Sequence, residues 1–251
     1  MEFHTFGRES NPKMLLIHGV LCPWQMWEEV AAHYSDRYYV IVPELDGHTQ
    51  DAPSEFVSIQ QEAAAIEDWL LEHDGAAMDT VVGLSMGGGI AALLWKNGRL
   101  AIKHLILDGA PLVPNGNFLT NYITNFYTAI VHKSQQRDPK TLENFKKVML
   151  PAKYLDDYLK IADNMSDSSI FNICHSICQN TFPTVLSTDG MKILYLYGTK
   201  SNEMLSKKTA KLMKKYYPAA QIAVCKGMAH AELVCFHTQE WLAMVDAFLA
   251  E

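Results

Sequence analysis

Asp79-Thr80-Val81-Val82-Gly83-Leu84-Ser85-Met86-Gly87-Gly88-Gly89-Ile90-Ala91-Ala92 is the stretch on which the reading of this chain turns. An apolar run leads directly into G-x-S-x-G, and small, helix-compatible residues follow. A serine hydroxyl is a weak nucleophile in water; it does chemistry when a tight strand-to-helix turn thrusts it out beside backbone N–H donors and a base. Gly83 and Gly87 suit such a turn, because without side chains they let it close against the neighbouring strand and helix. The pattern arises by chance in roughly 8% of chains this long at ordinary glycine and serine usage. Its flanks therefore carry the weight, and here the strand before and the helix after are both present.

Outward from that turn, short apolar runs alternate with helical patterns. Residues 13–17, 38–43, 80–84, 104–108, 192–197 and 221–225 read as buried strands, and 24–34, 59–72, 87–97, 207–217 and 238–250 as helices. Continuous apolar strands interleaved with helices predict an α/β fold, a mostly parallel sheet flanked by helices. Active sites in such sheets collect beyond the carboxyl ends of the strands, where Ser85 stands.

The alternation stops between Pro111 and Asp189. That region is helical and amphipathic, with helices expected over 117–133, 139–150, 152–164 and 168–180, punctuated by Pro114-Asn115-Gly116, Pro139, Pro151 and Pro183. It reads as a helical cap, residues 112–187, inserted into a core made of 1–111 and 188–251. Phe118, Tyr122, Phe126, Tyr127 and Phe171 are expected first of all to glue the cap helices to the core.

Composition bounds the function. A chain of 251 residues that is 49% hydrophobic can bury a full core as one domain. Its net charge of −7 argues against a nucleic-acid surface. No apolar run approaches the ~20 residues of a membrane span, and Met1-Glu2-Phe3-His4-Thr5 lacks the basic start and apolar core of a secretory leader. The five cysteines, Cys22, Cys174, Cys178, Cys225 and Cys235, are an odd and scattered set that suits reduced thiols in a cytoplasm. Cys174 and Cys178 share one helical face without a second ligand pair, so packing is their expected role, and no metal is expected.

A serine nucleophile needs a base and donors for the developing oxyanion. His230 is the candidate base: it sits in Lys226-Gly227-Met228-Ala229-His230, directly after the last expected strand, on a loop able to swing over the edge that carries Ser85. A second glycine-bearing loop, Ile17-His18-Gly19-Val20-Leu21, follows the first central strand. Gly19 lets the chain turn so that the Val20 N–H faces the serine and joins the Met86 N–H as an oxyanion hole. His18 is expected to brace that loop rather than to move protons.

Strand-His18-Gly19, then Pro43-Glu44-Leu45-Asp46-Gly47-His48, then Gly83-Leu84-Ser85-Met86-Gly87, a helical insertion, Tyr197-Gly198, and Gly227-Met228-Ala229-His230 together resemble the α/β-hydrolase superfamily. The resemblance spans essentially the whole chain in the family's order. It implies an eight-stranded, mostly parallel sheet with a cap, a triad in the order serine, acid, histidine, and hydrolysis of esters or related acyl substrates. The 43–48 segment is similar to the family's P-D-L-P-G-H-G but departs from it at Glu44, Asp46 and Thr49. The acid is the larger departure, since Ser201 occupies the position it takes in many relatives. Two carboxylates remain open: Glu203, two residues further on, and Asp108, at the end of an earlier strand where some members carry the acid. Glu203 also suits a helix N-terminus and Asp108 a turn.

The expectation is thus a cofactor-free serine esterase acting on a small or medium apolar acyl substrate through an acyl-enzyme. Two rivals keep the same fold. One uses the Ser–His pair for lyase or C–C bond cleavage; the other is a degenerate, ligand-binding homologue.

Overall fold

The computed structural model describes every residue except Asp74 and Asp189. The cap region's far limit at Asp189 therefore lies outside the described residues. In chain order the elements are β1 (Glu2–Phe6), β2 (Lys13–Ile17), α1 (Glu28–Tyr34), β3 (Tyr39–Glu44), α2 (Ile59–His73), β4 (Ala77–Leu84), α3 (Met86–Asn97) and β5 (Ala101–Asp108). Then come α4 (Asn117–Gln135), α5 (Pro139–Val148), α6 (Leu155–Asn164), α7 (Asp167–Gln179), β6 (Lys192–Gly198), α8 (Met204–Tyr216), β7 (Gln221–Cys225), α9 (Glu232–Phe236) and α10 (Thr238–Leu249).

The seven strands form one sheet in the order β1-β3-β2-β4-β5-β6-β7, parallel except for β1, which pairs antiparallel with β3. This corrects the eight strands implied by the resemblance: seven are present among the described residues. It also adds β1, an antiparallel edge strand over Glu2–Phe6 that is not among the strands expected from the sequence. Its two phenylalanines lie on opposite faces, Phe3 stacked on Trp69 and Phe6 tilted toward Trp24, so neither an apolar run nor a strict alternation announces the strand.

Central strands are dry because both their faces are covered. Every side chain from Met14 to Ile17 and from Val40 to Val42 is fully buried, as are Val81, Val82 and Leu105 to Leu107. The helix after Ser85 packs against β2, β4 and β5, and α2 lies on it in turn. Elsewhere α1 packs on α10, and Trp27, in the turn just before α1, meets Trp241 of α10 with ring centroids 5.8 Å apart.

Register decides where the loops emerge. Ile17 lies level with Gly83, Leu84 with Asp108, Asp108 with Leu196, and Gly198 with Cys225. The carboxyl ends of β2, β4, β5, β6 and β7 thus share one rim, and the loops bearing His18, Ser85, Gly109, Glu203 and His230 all leave from it.

Helices α4 to α7 are inserted between β5 and β6. Their buried aromatic pair is Phe145 and Tyr158, stacked with centroids 3.7 Å apart, with the Tyr158 hydroxyl 2.8 Å from Ser134 Oγ. The expected glue residues are mostly elsewhere: Phe118 is 88% exposed, Tyr122 65%, Phe126 50% and Phe171 49%, and only Tyr127 is partly buried against the core. Periodicity announces an apolar stripe on α4 but not the direction in which it faces, because the same spacing fits either side of a helix packed on one flank.

Candidate active site

The turn at the end of β4 is held by steric necessity. Ser85 has φ +53° and ψ −111°, a conformation ordinary L-residues avoid, and its N–H donates to the Asp108 carbonyl at 2.8 Å. A Cβ on Gly83 would stand 2.3 Å from the Gly87 carbonyl oxygen, and one on Gly87 would stand 2.3 Å from that of Ile17. The two glycines of G-x-S-x-G are therefore close-approach positions. With them, strand, turn and helix pack without a gap and the serine side chain is left at the rim.

His230 reaches that hydroxyl from the other end of the chain: its Nε2 lies 2.8 Å from Ser85 Oγ. Two loops are zipped together to bring it there. The N–H groups of Thr199 and Lys200 both donate to the Met228 carbonyl, at 3.0 and 3.1 Å, and the His230 N–H donates to Asn202 Oδ1 at 3.3 Å. Gly198 permits the approach, since a Cβ there would stand 2.3 Å from the same Met228 oxygen.

The far side of the ring faces Glu203. Its Oε2 is 3.3 Å from His230 Nδ1, and its other oxygen accepts the Gly198 N–H at 3.1 Å. The carboxylate is 2% exposed and the imidazole 25%. Neither Oε2 nor Nδ1 makes a well-aligned hydrogen bond with any other described group. Each is thus the other's natural partner, in the loose geometry common before substrate tightens a site. Burial opposes charge on both, yet each holds the other charged. Burial would push the Glu203 carboxyl up, but His230, Ser206 and the Gly198 N–H bring it below its usual range. Burial would push the imidazole down, but the hydrogen bond and charge of Glu203, with Asp108 behind, lift it above its usual value.

Asp108, the other candidate acid, points elsewhere. Its Oδ2 accepts from the indole Nε1 of Trp241 at 2.9 Å. Burial first, and the charge of Glu203 second, push its carboxyl up to about 7. The structure brings Ser85, His230 and Glu203 into one line and leaves Asp108 beside that line.

The loop after β2 runs along the other flank of the serine, where a Cβ on Gly19 would stand 3.4 Å from Ser85 Cβ. Val20 is the next residue, and Met86 opens α3, where the first backbone N–H groups have no partner within the helix. His18 and His48 are both fully buried beneath the loop.

Several residues that shape the site carried no role in the sequence reading. Gly109, at φ +60°, has its α-carbon under the His230 ring; a Cβ there would stand 2.8 Å from Cε1 and 2.9 Å from Nδ1. Ser206 Oγ and the Tyr195 hydroxyl donate to the carbonyls of Gly109 and Ala110, at 3.1 and 2.7 Å, and pin that turn. A glycine directly after Asp108 was the one available signal, and nothing in the sequence tied it to a histidine over a hundred residues away.

Fold and rim together define an α/β enzyme scaffold with a serine and a histidine in hydrogen-bond contact. The sequence pattern of the alpha/beta hydrolase family matches residues 14–243, and the chain belongs to that family. An uncharacterized protein of Mycobacterium bovis is 40% identical over 102 residues, which are 40% of this chain and 30% of that protein. Epoxide hydrolase 3 of Xenopus tropicalis is 30% identical over 116 residues, 44% of this chain and 31% of its own length. The chain thus spans 30% to 31% of the length of these curated relatives. The crystal structure of an alpha/beta hydrolase family protein from Desulfitobacterium hafniense superimposes with a TM-score of 0.77 at 20% identity, over 99% of this chain and 100% of that one. At that identity the likeness is one of fold. No helix among the described residues is long and apolar enough to cross a membrane.

Proposed function

We propose that this hydrolase cleaves carboxylic esters of small or medium apolar acyl groups through a serine-bound acyl-enzyme. The observation that carries the reading is the 2.8 Å contact between Ser85 Oγ and His230 Nε2, made across 145 residues of chain. Ser85 Oγ attacks the ester carbonyl while His230 Nε2 takes its proton, and Glu203 steadies the resulting imidazolium. The N–H groups of Val20 and Met86 receive the oxyanion; one such donor is worth about 3–4 kcal/mol to the transition state. Collapse expels the alcohol, which leaves with the proton from His230. The freed imidazole then deprotonates a water, which attacks the acyl carbon and returns Ser85. These steps draw on no metal or organic cofactor.

A serine at the elbow also bears on the epoxide chemistry in the name of the Xenopus relative. Had Ser85 opened an epoxide, the product would stay on the enzyme as an ether, which water does not release; an acyl ester is released by the same histidine. The hydroxyl therefore favours acyl substrates. In this reading the helices of residues 112–187 cover the rim and set the acyl length, and the substrate is a small molecule rather than a nucleic acid. The odd and scattered set of five cysteines supports a reducing compartment such as the cytoplasm.

The test is labelling with a fluorophosphonate probe, followed by turnover of p-nitrophenyl esters of graded chain length. Wild-type protein should label on Ser85 and show a burst of nitrophenol, and Ser85→Ala should do neither. Wild-type protein that stays unlabelled, or a Ser85→Ala variant that still labels at this rim, would remove the reading. A lyase or C–C bond cleaving enzyme would instead show no burst with any activated ester.

A further inference from the structure

The oxyanion loop is tied to the rest of the protein by two buried imidazoles. His18 Nδ1 lies 2.9 Å from the carbonyl oxygen of Gly19, and its Nε2 accepts the Leu45 N–H at 3.3 Å. His48 Nε2 accepts the Leu21 N–H at 3.1 Å, and its Nδ1 lies 3.3 Å from the Asp46 carbonyl oxygen. In each ring Nδ1 faces an acceptor and Nε2 faces a donor, so both must carry their single proton on Nδ1. The rings meet edge to face with centroids 5.0 Å apart. Each bridges the 18–21 loop and the 45–48 loop, and neither has a hydrogen-bond position to spare.

What they hold is strained. Leu21 has φ +58°, a left-handed conformation that a branched side chain avoids. The Cys22 N–H closes back on the Gly19 carbonyl at 3.3 Å, making a turn whose third residue is Leu21. Such a turn ordinarily has glycine or asparagine at that place. A strained peptide in a loop persists when its surroundings over-determine it, and such strain clusters where geometry serves function. The surroundings here are the two imidazoles.

The peptide plane then sets a direction. In a trans peptide the carbonyl and the N–H of the next residue point opposite ways. The Gly19 carbonyl is turned toward the His18 ring and the Cys22 N–H. The N–H of that same peptide belongs to Val20, and it points away from the His18 ring, in a loop whose Gly19 borders Ser85.

We propose that His18 and His48 are positioning residues that lock the Gly19–Val20 peptide with its N–H facing Ser85, keeping the oxyanion hole formed before substrate arrives. The inference rests on the acyl-transfer reading above. His18 fixes the carbonyl end of the peptide, and His48 fixes the strained residue that follows it. Both rings do this only when neutral, because a second proton on Nε2 would confront the Leu45 or Leu21 N–H. Burial keeps them so: it pulls His18 down to about 4, against the Gly19 carbonyl and Glu44, and His48 down to about 3 with help from His18. A preformed hole costs no reorganisation during reaction, and that is the source of its catalytic worth.

The experiment compares His18→Asn with His18→Leu, reading kcat and KM for p-nitrophenyl butyrate together with the rate of Ser85 labelling by a fluorophosphonate. Asparagine places an N–H near the position of Nδ1, and leucine removes it at similar volume. The expected result for His18→Leu is a kcat about 10²-fold lower, the size of one lost oxyanion donor, with KM within about threefold and slower labelling. His18→Asn should recover most of that loss. A leucine variant with wild-type kcat, or a loss borne by KM alone, or an asparagine variant as impaired as the leucine one, would overturn the lock. If His18→Leu does not fold, His48→Leu against His48→Gln gives the same comparison, with glutamine supplying the acceptor for Leu21. Wild-type protein that neither labels nor turns over the ester would sink the acyl-transfer reading itself. Wild-type reactivity with unaffected leucine variants would sink only the lock.

Discussion

Trp241 Nε1 donates to Asp108 Oδ2 at 2.9 Å, and that bond holds the second carboxylate near His230 against the last helix of the chain. Glu203 is left facing the imidazole alone. Glu203→Gln should therefore lower kcat by about 10³–10⁴-fold, the scale on which a triad loses the partner that orients its base. Asp108→Asn keeps an acceptor for the indole and should leave kcat within about fivefold. Ester kinetics on the two variants decide the matter, and equal losses would return the acid role to Asp108.

Stability should separate the same two residues. Asp108 titrates near 7 in the folded protein, raised by burial and then by Glu203, against about 3.9 in an unfolded chain. The folded state holds this proton more tightly, so the contribution of Asp108 to stability falls as pH rises from about 4 through 7. Asp108→Asn has no such loss. Urea unfolding at pH 5 and pH 8 should show the variant gaining on wild type at the higher pH, and a constant difference would contradict the assignment.

The acid limb of kcat/KM reports the base of the free enzyme. Burial alone would move His230 below its ordinary value, but Glu203 and then Asp108 raise it above. The limb should accordingly lie above about 6.5 in wild type and shift downward in Glu203→Gln. A profile from pH 5 to 9 on both proteins tests this, and an unmoved limb would separate Glu203 from the titration.

Gly109 offers a test by crowding. A methyl group there would press on His230 at 2.8 Å from a backbone already at φ +60°, whereas Gly98, at φ +66°, has open space around the same position. Both alanine variants carry the left-handed penalty, of order 1 kcal/mol. Only Gly109→Ala should also displace the imidazole, and a shift of about 1 Å can cost 10²-fold in rate. Comparable melting shifts with a selective loss of kcat in Gly109→Ala is the expected pattern; equal kcat in both would show that the ring yields freely.

How far the chain could be read in advance follows from where its information is local. The strands of the central sheet were visible because burial on both faces makes Met14 to Ile17 or Leu105 to Leu107 uniformly apolar, and the elbow was visible because two glycines must lie within four residues of one another. The edge strand β1 and the facing of Phe118, Tyr122 and Phe126 were hidden, since each depends on which neighbour covers which side. The choice between Glu203 and Asp108 was likewise illegible: it rests on a tryptophan 133 residues from Asp108. So was the use of His48, whose partner Leu21 is met only through the packing of two loops.

The two imidazoles under that loop should also give the protein an acid weakness that can be traced to them. Folded His18 and His48 titrate at about 4 and about 3, both held down chiefly by burial, against about 6.5 when unfolded. Below that unfolded value the unfolded chain takes up protons that the folded protein refuses, so stability falls as pH drops from about 6.5 toward 4. Asp108 and the buried Glu62, which titrates near 8, change in the opposite direction, so the total curve mixes the two effects. The difference between wild type and His48→Gln removes them. Glutamine does not titrate, so the variant should be the less stable protein at pH 7 and lose less between pH 6.5 and 4. Urea midpoints at pH 7, 5.5 and 4.5 measure that slope, and parallel losses in the two proteins would mean that His48 is charged in the fold or not buried there at all.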